Sequence, residues 1–408
     1  MRKDDVSLDY CLKCSDCNTV CPVLTAFPLF PGPKHLGPEL ERLRREGLPC
    51  DSEWVEYCLT CDRCNLACPN QVEVAELIAA AKARHVKPPI RRLRDFWLSR
   101  PALLGRLITI LPAVANLLLG LAPVRFLMSR TMKIARKRPF PAYARKTAAV
   151  RTAAAGHPNG PVLFFPGCAI DFNEQGLGRT VVEVLERAGF APEVVDSGCC
   201  GIPALANGDE AEAKRRAAAC VRAMEKAVAN GTKIVTACTS CGTMLASGFP
   251  FVLGDDPDLA DAAKRVAAAS CDLGEFLLEA ADGKGIPAHF GPVEMHLAYH
   301  APCHQLAQGI GRPWVHLLER IPGIRVKDLN AGCCGMAGTF GFKEEKYPVS
   351  MAVGQRLFDA IREENPESVV TECPTCRMQI AHATSYRAIH PAEILLTSWK
   401  NASRAAAE

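Results

Sequence analysis

The sequence is short of anything that would carry it out of the cytosol or through a bilayer. The ten residues before Cys11, Met1 to Tyr10, hold no apolar core of a secretory leader, so the thiols are expected to be reduced ligands in the cytosol and not disulfides. No uninterrupted apolar run reaches the roughly 20 residues of a spanning helix. The most apolar text, residues 101–123, is broken by Arg106 and Pro112. A flavin or nicotinamide fingerprint is also missing. Gly176-Leu-Gly178 and Gly309-Ile-Gly311 lack the third glycine and follow no strand-to-helix turn, so they are expected to serve helix packing. Two-electron chemistry on an organic substrate must then begin in another subunit. Acids are scarce in one place: between Arg91 and Arg151, 14 Lys and Arg accompany a single acid, Asp95, although the whole chain carries only +4.

Cysteine is abundant. There are 21 in 408 residues, against globular values of 49% hydrophobic and 23% charged residues, in a length suited to two or three domains. Cys11-x2-Cys14-x2-Cys17-x3-Cys21-Pro22 is followed by Cys58-x2-Cys61-x2-Cys64-x3-Cys68-Pro69. Two-cluster ferredoxins use this run: three close thiolates hold one [4Fe–4S] cubane and the fourth crosses to the other. One cluster would take Cys11, Cys14, Cys17 and Cys68, the other Cys58, Cys61, Cys64 and Cys21. Each proline is expected to stop a helix and free its cysteine to turn away. A pair of zinc sites would need neither the crossover nor the prolines. Helical spacing over Glu39–Arg45, closed by Gly47, and over Val72–Ala83 predicts an α-helical ferredoxin domain in residues 1–90. Cys50 stands outside both motifs and is expected to be packing.

Residues 91–155 form a basic, apolar connector. The spacing suits a helix pair lying in a membrane interface, with Arg91-Arg-Leu-Arg94 and Lys133-Ile-Ala-Arg-Lys-Arg138 toward anionic headgroups. The same text would also serve as an interdomain hairpin covering the cluster domains. Nucleic acid is not expected, because no recognition motif or interleaved aromatic set accompanies the charge. Thr147 to Asn159 is small, polar and Ala-rich, and reads as a linker.

The remainder repeats. Cys168, Cys199-Cys200-Gly201 and Cys238-x2-Cys241 return as Cys303, Cys333-Cys334-Gly335 and Cys373-x2-Cys376, with offsets of 135, 134, 134, 135 and 135 residues. The text between keeps step: Gln175-Gly-Leu-Gly-Arg179 is answered by Gln308-Gly-Ile-Gly-Arg312, and Leu185-Glu-Arg187 by Leu318-Glu-Arg320. A duplication with two equivalent metal-cluster sites follows, over residues 156–290 and 291–408. Strands are predicted at 161–166, 192–195 and 233–236, then near 295–299, 324–328 and 368–371, with helices at 178–188 and 210–229. In each half the five cysteines lie just past strand carboxyl ends, where open α/β sheets place ligands. Five thiolates exceed one ordinary cubane, and Gly201 and Gly335 are expected to leave room for backbone beside the inorganic core. His300 and His304 flank Cys303 without equivalents beside Cys168; a proton donor and a satisfied polar role are both open. Cys220 and Cys271 have no counterpart in the other repeat and are expected to be structural.

At these residues the chain resembles the CCG-domain proteins, the iron–sulfur family that includes heterodisulfide reductase catalytic subunits. With the ferredoxin module in front, and with Phe30-Pro-Gly-Pro-Lys34, Gly37-Pro38, Gly335-Met-Ala-Gly-Thr-Phe-Gly-Phe-Lys343 and Tyr347-Pro348, it is most similar to the C subunits of anaerobic glycerol-3-phosphate dehydrogenases. The resemblance implies an α+β multidomain chain: an α-helical two-[4Fe–4S] domain, then a duplicated α/β CCG domain. It implies an electron carrier between flavoprotein dehydrogenase subunits and menaquinone, peripheral on the cytoplasmic face of the membrane. One or two further clusters, of non-cubane type as in heterodisulfide reductases, would occupy the CCG sites. A disulfide-cleaving heterodisulfide reductase-like subunit, and an iron–sulfur subunit of a lactate or glycolate oxidase, are the alternatives it allows.

Overall fold

In the computed structural model, residues 8–144, 157–196, 198–283, 285–286 and 289–406 are described. Most of the expected linker at Thr147–Asn159 lies outside them. The architecture is α+β: a helical N-terminal module, a run of short helices, and two α/β repeats.

The first module makes the same turn twice. Lys13 and Ser15 sit between the first cysteines with φ of 60° and 77°, and Thr60 and Asp62, 47 positions on like the cysteines themselves, have 52° and 57°. Left-handed backbone at four non-glycine residues is uncommon, and here it curls each short loop around its own thiols. Helices Asp16–Thr19 and Arg63–Leu66 follow. Pro22 does not stop a helix, as its position suggested. It opens Pro22–Ala26 at a first-turn site where the missing N–H has no partner to lose. The helix expected at Glu39 starts earlier, as a wide turn over His35–Glu39 that runs into Leu40–Arg45, and the next spans Val74–Arg84. The apolar core of this module, including Phe30, Leu36, Val55 and Ile78, closes against Phe340, Val349 and Val353 of the second repeat.

The connector is four helices and not a pair: Pro89–Leu98, Pro101–Ile108, Pro112–Gly120 and Ala122–Met132. Each has a proline in its first turn, which ends the preceding helix and starts the next. No helix among the described residues is long and apolar enough to cross a membrane, and the chain bends by 109° between the second and third of these. Two of the cations expected to face headgroups are inside the protein. Arg94 is fully buried on Asp95 and Glu345, and Arg138 is fully buried, donating to the Gly341 carbonyl at 3.0 Å and to Gln379. The run is basic as written; the fold divides its charges between an internal lock and the surface.

Each repeat is a four-stranded parallel sheet. β1 (Pro161–Phe164), β2 (Ala191–Val194), β3 (Lys233–Thr236) and β4 (Ser270–Asp272) are ordered β2-β1-β3-β4. β5 (Met295–Tyr299), β6 (Ile324–Asp328), β7 (Ser368–Val370) and β8 (Ala388–Ile389) are ordered β6-β5-β7-β8. The short fourth strands were not legible in sequence, because three and two residues are too few to show a period. Strand order reverses between the first and third strand of each sheet, which opens a crevice at their carboxyl ends. The repeats share one core: Phe164, Val181 and Leu185 of the first lie in the same apolar cluster as Trp314, Leu395 and Trp399 of the second.

Candidate metal centres

All 21 cysteines are free thiols. In the first module, burial pushes Cys17 up to about 11, with Cys11, Cys14 and Cys68 adding to the rise as its charged neighbours. Cys21 is likewise pushed up to about 11 by burial, and the neighbouring thiol is Cys58 of the other motif. Cys64 has Cys61 and Cys58 beside it. Cys68 thus lies beside the first triad, and Cys21 beside Cys58 of the second. Cys50 is half-buried and stands apart from these thiols in sequence.

In the first repeat, β1 delivers Cys168 through Gly167, β2 delivers Cys199 and Cys200, and β3 delivers Cys238 and Cys241. The thiols form a continuous line of contacts, Cys168 to Cys199 to Cys200 to Cys241 to Cys238. Hydrogen bonds from Cys168 and Cys200, with the Gly201 amide and Arg216, hold Cys199 well below the usual thiol range. The second repeat draws the same line, Cys303 to Cys333 to Cys334 to Cys376 to Cys373, with Cys334 Sγ and Cys376 Sγ 3.1 Å apart. The Cys333 and Cys376 thiols beside it bring Cys334 down to about 6.

The glycines divide the packing differently from the expectation. Gly201 and Gly335 have φ of 98° and 82°, and a Cβ there would meet backbone behind the site: the Ala213 carbonyl at 3.2 Å in the first case, and in the second the Ser350 carbonyl, which it would overlap. They permit the turn and seat it on a helix; they do not face the sulfurs. Gly167 does, since its Cβ would stand 2.7 Å from Cys241 Sγ. Cys220 donates to the Cys199 carbonyl at 3.6 Å and Cys271 to the Ile234 carbonyl at 3.4 Å, so neither thiol is directed at a cluster.

The four sets of thiols adjoin one another. Cys303 is the charged neighbour that acts most strongly on Cys61 of the first module, and Cys61 in turn acts on Cys333. Arg63 lies among these three; burial opposes its charge, but Cys303, Cys333 and Cys61 together raise its affinity for the proton. The repeats meet where Ser240 Oγ lies 3.9 Å from Cys373 Sγ. His304 joins all three bodies: one ring nitrogen is 2.8 Å from the Thr60 carbonyl and the other 2.9 Å from Ser240 Oγ. That is a satisfied polar role, one of the two left open for it. His300 differs. Burial drives it down to about 4, which favours the neutral ring.

At its far end the first repeat's set lies under the connector. Ala102 packs with Phe172 and Cys199, Tyr143 and Cys168 flank them, and Gly105 gives the Phe172 ring space that a Cβ would enter at 2.5 Å. Burial, with Cys168 nearby, pushes the Tyr143 hydroxyl up to about 12. No local pattern marks Ala102 or Tyr143 as site neighbours, because each comes from a different body than the thiols beside it, and nothing in the motif around Arg63 shows that it also reaches Cys303 and Cys333 of the second repeat.

Iron and sulfide fit this donor set. Eighteen of the thiols converge in four groups, mostly buried, with few cations among them, and burying that many thiolates is tolerable only if metal charge offsets theirs. Five thiols in each repeat exceed a closed tetrahedral zinc site. Comparison with known proteins agrees. Residues 7–72 match the family model of the 4Fe-4S dicluster domain, and residues 162–246 and 297–381 that of the cysteine-rich domain, CCG. The chain is 36% identical to the C subunit of anaerobic glycerol-3-phosphate dehydrogenase from Escherichia coli, over 96% of this chain and 98% of that one. It is 30% identical to lactate utilization protein A of Bacillus cytotoxicus over 57% of this chain and 98% of the relative. It is 29% identical to the B subunit of the CoM/CoB fumarate reductase of Methanothermobacter marburgensis, over 55% and 42%. This is an iron–sulfur protein, with a dicluster domain ahead of a duplicated cysteine-rich domain.

Proposed function

We propose that this chain, which belongs to the family of C subunits of anaerobic glycerol-3-phosphate dehydrogenases, is an iron–sulfur electron-transfer subunit between a flavoprotein dehydrogenase pair and menaquinone at the cytoplasmic face of the membrane. Iron–sulfur clusters supply one-electron uptake and release. Cys11, Cys14, Cys17 and Cys68 would hold one cubane, and Cys58, Cys61, Cys64 and Cys21 the other. Cys168, Cys199, Cys200, Cys238 and Cys241 would hold the first repeat's cluster; Cys303, Cys333, Cys334, Cys373 and Cys376 the second's. The divisions at residues 90, 155 and 290 belong to the same proposal.

The observation that carries this reading is the unbroken adjacency of the four sets. Cys61 meets Cys303, and Ser240 brings Cys373 to the first repeat, so the order along the molecule is first cubane, second cubane, second repeat, first repeat. The two ends differ in surface. At the first, Cys14 is exposed, as are Tyr10 and Leu12 close to it in sequence, which suits docking of the flavoprotein. At the other, Ala102 and Phe172 cover Cys199, and the outer side of the same helices exposes Leu107, Ile110, Leu111, Val114, Leu117 and Leu118. Exposed Arg106, Arg130, Arg136 and Lys137 accompany that apolar face, a pairing that suits an anionic lipid surface. Disulfide cleavage on the CCG thiols finds no support, because Cys199, Cys200, Cys333 and Cys334 are all buried.

The test is anaerobic reconstitution with a purified flavin-dependent glycerol-3-phosphate dehydrogenase pair. Glycerol 3-phosphate should bleach the visible absorbance of this chain, and a menaquinone analogue should restore it. Bleaching by a lactate- or glycolate-oxidising partner in its place, or rapid disulfide reduction by the isolated chain, would overturn the assignment.

A further inference from the structure

The two CCG sites are built from the same five thiols but differ by one nitrogen. His300 follows β5 and its amide donates to the Val370 carbonyl at 3.0 Å; at the same point after β1, the Phe165 amide donates to the Val235 carbonyl at 2.9 Å. The positions are equivalent in backbone and opposite in chemistry. Phe165 is fully buried in an apolar cluster with Cys200, Cys238 and Cys241. His300 is buried to 2% exposure, and its Nε2 has no hydrogen-bond partner. A sealed imidazole nitrogen without a partner forfeits a hydrogen bond for nothing, unless something absent from the protein itself accepts its lone pair. The surroundings name that partner: a ring nitrogen of His300 and the Cys334 and Cys376 sulfurs lie within 4.8 Å of one another.

We propose that His300 is a nitrogen ligand of the second-repeat cluster, beside Cys334 and Cys376, and that the first-repeat cluster has no such ligand. The inference rests on the iron–sulfur reading of the second repeat. Its chemistry is a lone pair on Nε2 donated to iron, with the ring proton on Nδ1. Replacing thiolate character by imidazole raises an iron centre's reduction potential, as histidine does in Rieske centres. The two otherwise matched sites would then differ in potential along the line of transfer, and the duplication would have produced two unlike stations.

Protein purified without oxygen from cells fed natural or 15N-labelled histidine, poised so that the second-repeat cluster is paramagnetic, should show in pulsed EPR a strong nitrogen coupling that scales with the isotope. His300→Phe, which copies the residue at position 165, should lose that coupling. If His300→Phe also loses the cluster, His300→Cys should keep the iron, lose the coupling and lower the potential. Iron well above about eight per chain with no isotope-sensitive coupling, or a coupling unchanged in either variant, would refute ligation while leaving the cluster reading intact. Iron limited to the two cubanes would remove that reading and the ligand with it.

Discussion

Arg94 sets two guanidinium nitrogens on the carboxylate of Glu345, at 2.8 and 2.9 Å, across 251 residues of sequence. It also donates to Asp95 at 3.1 Å and to the Lys133 carbonyl at 3.1 Å, so every nitrogen of the fully buried group is engaged. The first connector helix is thereby bound to the segment that follows the second CCG loop. Arg94→Ala would strand the Glu345 carboxylate, while Asp95 keeps Lys87 and Lys343, and removing one partner of a buried pair costs about 3–5 kcal/mol. Thermal unfolding should show this loss, and Arg94→Lys, which keeps the charge but not the fork, should recover only part of it. An Arg94→Ala protein as stable as the parent would show that the pair is idle.

Acid should open the same junction. Burial opposes ionisation of Glu56, but Lys346, Lys87 and Lys343 outweigh it and hold the carboxyl down to about 2; Lys343, Lys87 and Arg94 likewise overcome burial and hold Asp95 well below its ordinary value. Both folded values are depressed, so their contribution is present above the unfolded carboxyl range and is lost as pH falls through the folded values. For Glu56 alone the linkage is worth about 3 kcal/mol. Hydrogen-exchange protection at residues 89–98 and 343–347, corrected for the intrinsic slowing of exchange in acid, should fall between about pH 4.5 and 2.5, and Glu56→Gln should flatten that dependence. Equal pH profiles in both proteins would assign acid sensitivity elsewhere.

Membrane attachment should depend on the residues the fold leaves outside. Sedimentation with vesicles rich in anionic lipid should fall at least tenfold, about the effect of two cations lost near a charged surface, when Arg136 and Lys137 are both changed to Glu. Leu117→Asp should release the protein at high salt as well, where charge is screened. Changing Arg94 or Arg138 would not test this, since neither reaches solvent. Unchanged binding in the double variant and in Leu117→Asp would give this face to a protein partner.

The repeats should respond unequally to one methyl group. At Gly335 a Cβ would overlap the Ser350 carbonyl oxygen, whereas at Gly201 the nearest atom is Arg216 Cβ at 3.1 Å, and both sites have positive φ. Gly335→Ala should deplete the second-repeat cluster and destabilise the chain by about 1–3 kcal/mol more than Gly201→Ala does, the usual span for overpacking. Iron content and unfolding midpoint read both effects, and equal losses would contradict the packing difference.

Spacing made much of this legible. Ligand spacing can be read without a fold, so eight cysteines in two runs and ten in two copies pointed to four sets from the sequence alone. The strand-end placement followed from alternation of strands and helices, and the open sheets agree with it. What stayed hidden depends on contacts between bodies. Nothing local distinguishes Arg94 from Arg91, yet one is sealed inside and the other half-exposed, because Glu345 lies across from only the first. His300 and His304 were visible as an asymmetry of the repeats, but their division into ligand candidate and bridge depends on Thr60, Ser240 and Cys376, three segments distant in sequence. The connector's four helices were foreshadowed by its prolines, whose starting role was read as mere interruption.

His304 is held by the first module through Thr60 and by the first repeat through Ser240, while its own backbone belongs to the second repeat. With the apolar packing that the module and the two repeats share, it ties three bodies to one another. Traffic of charge through such a molecule would be set by fixed gaps, as in a solid, and thickening the solvent with glycerol or sucrose would slow only its encounters with other proteins.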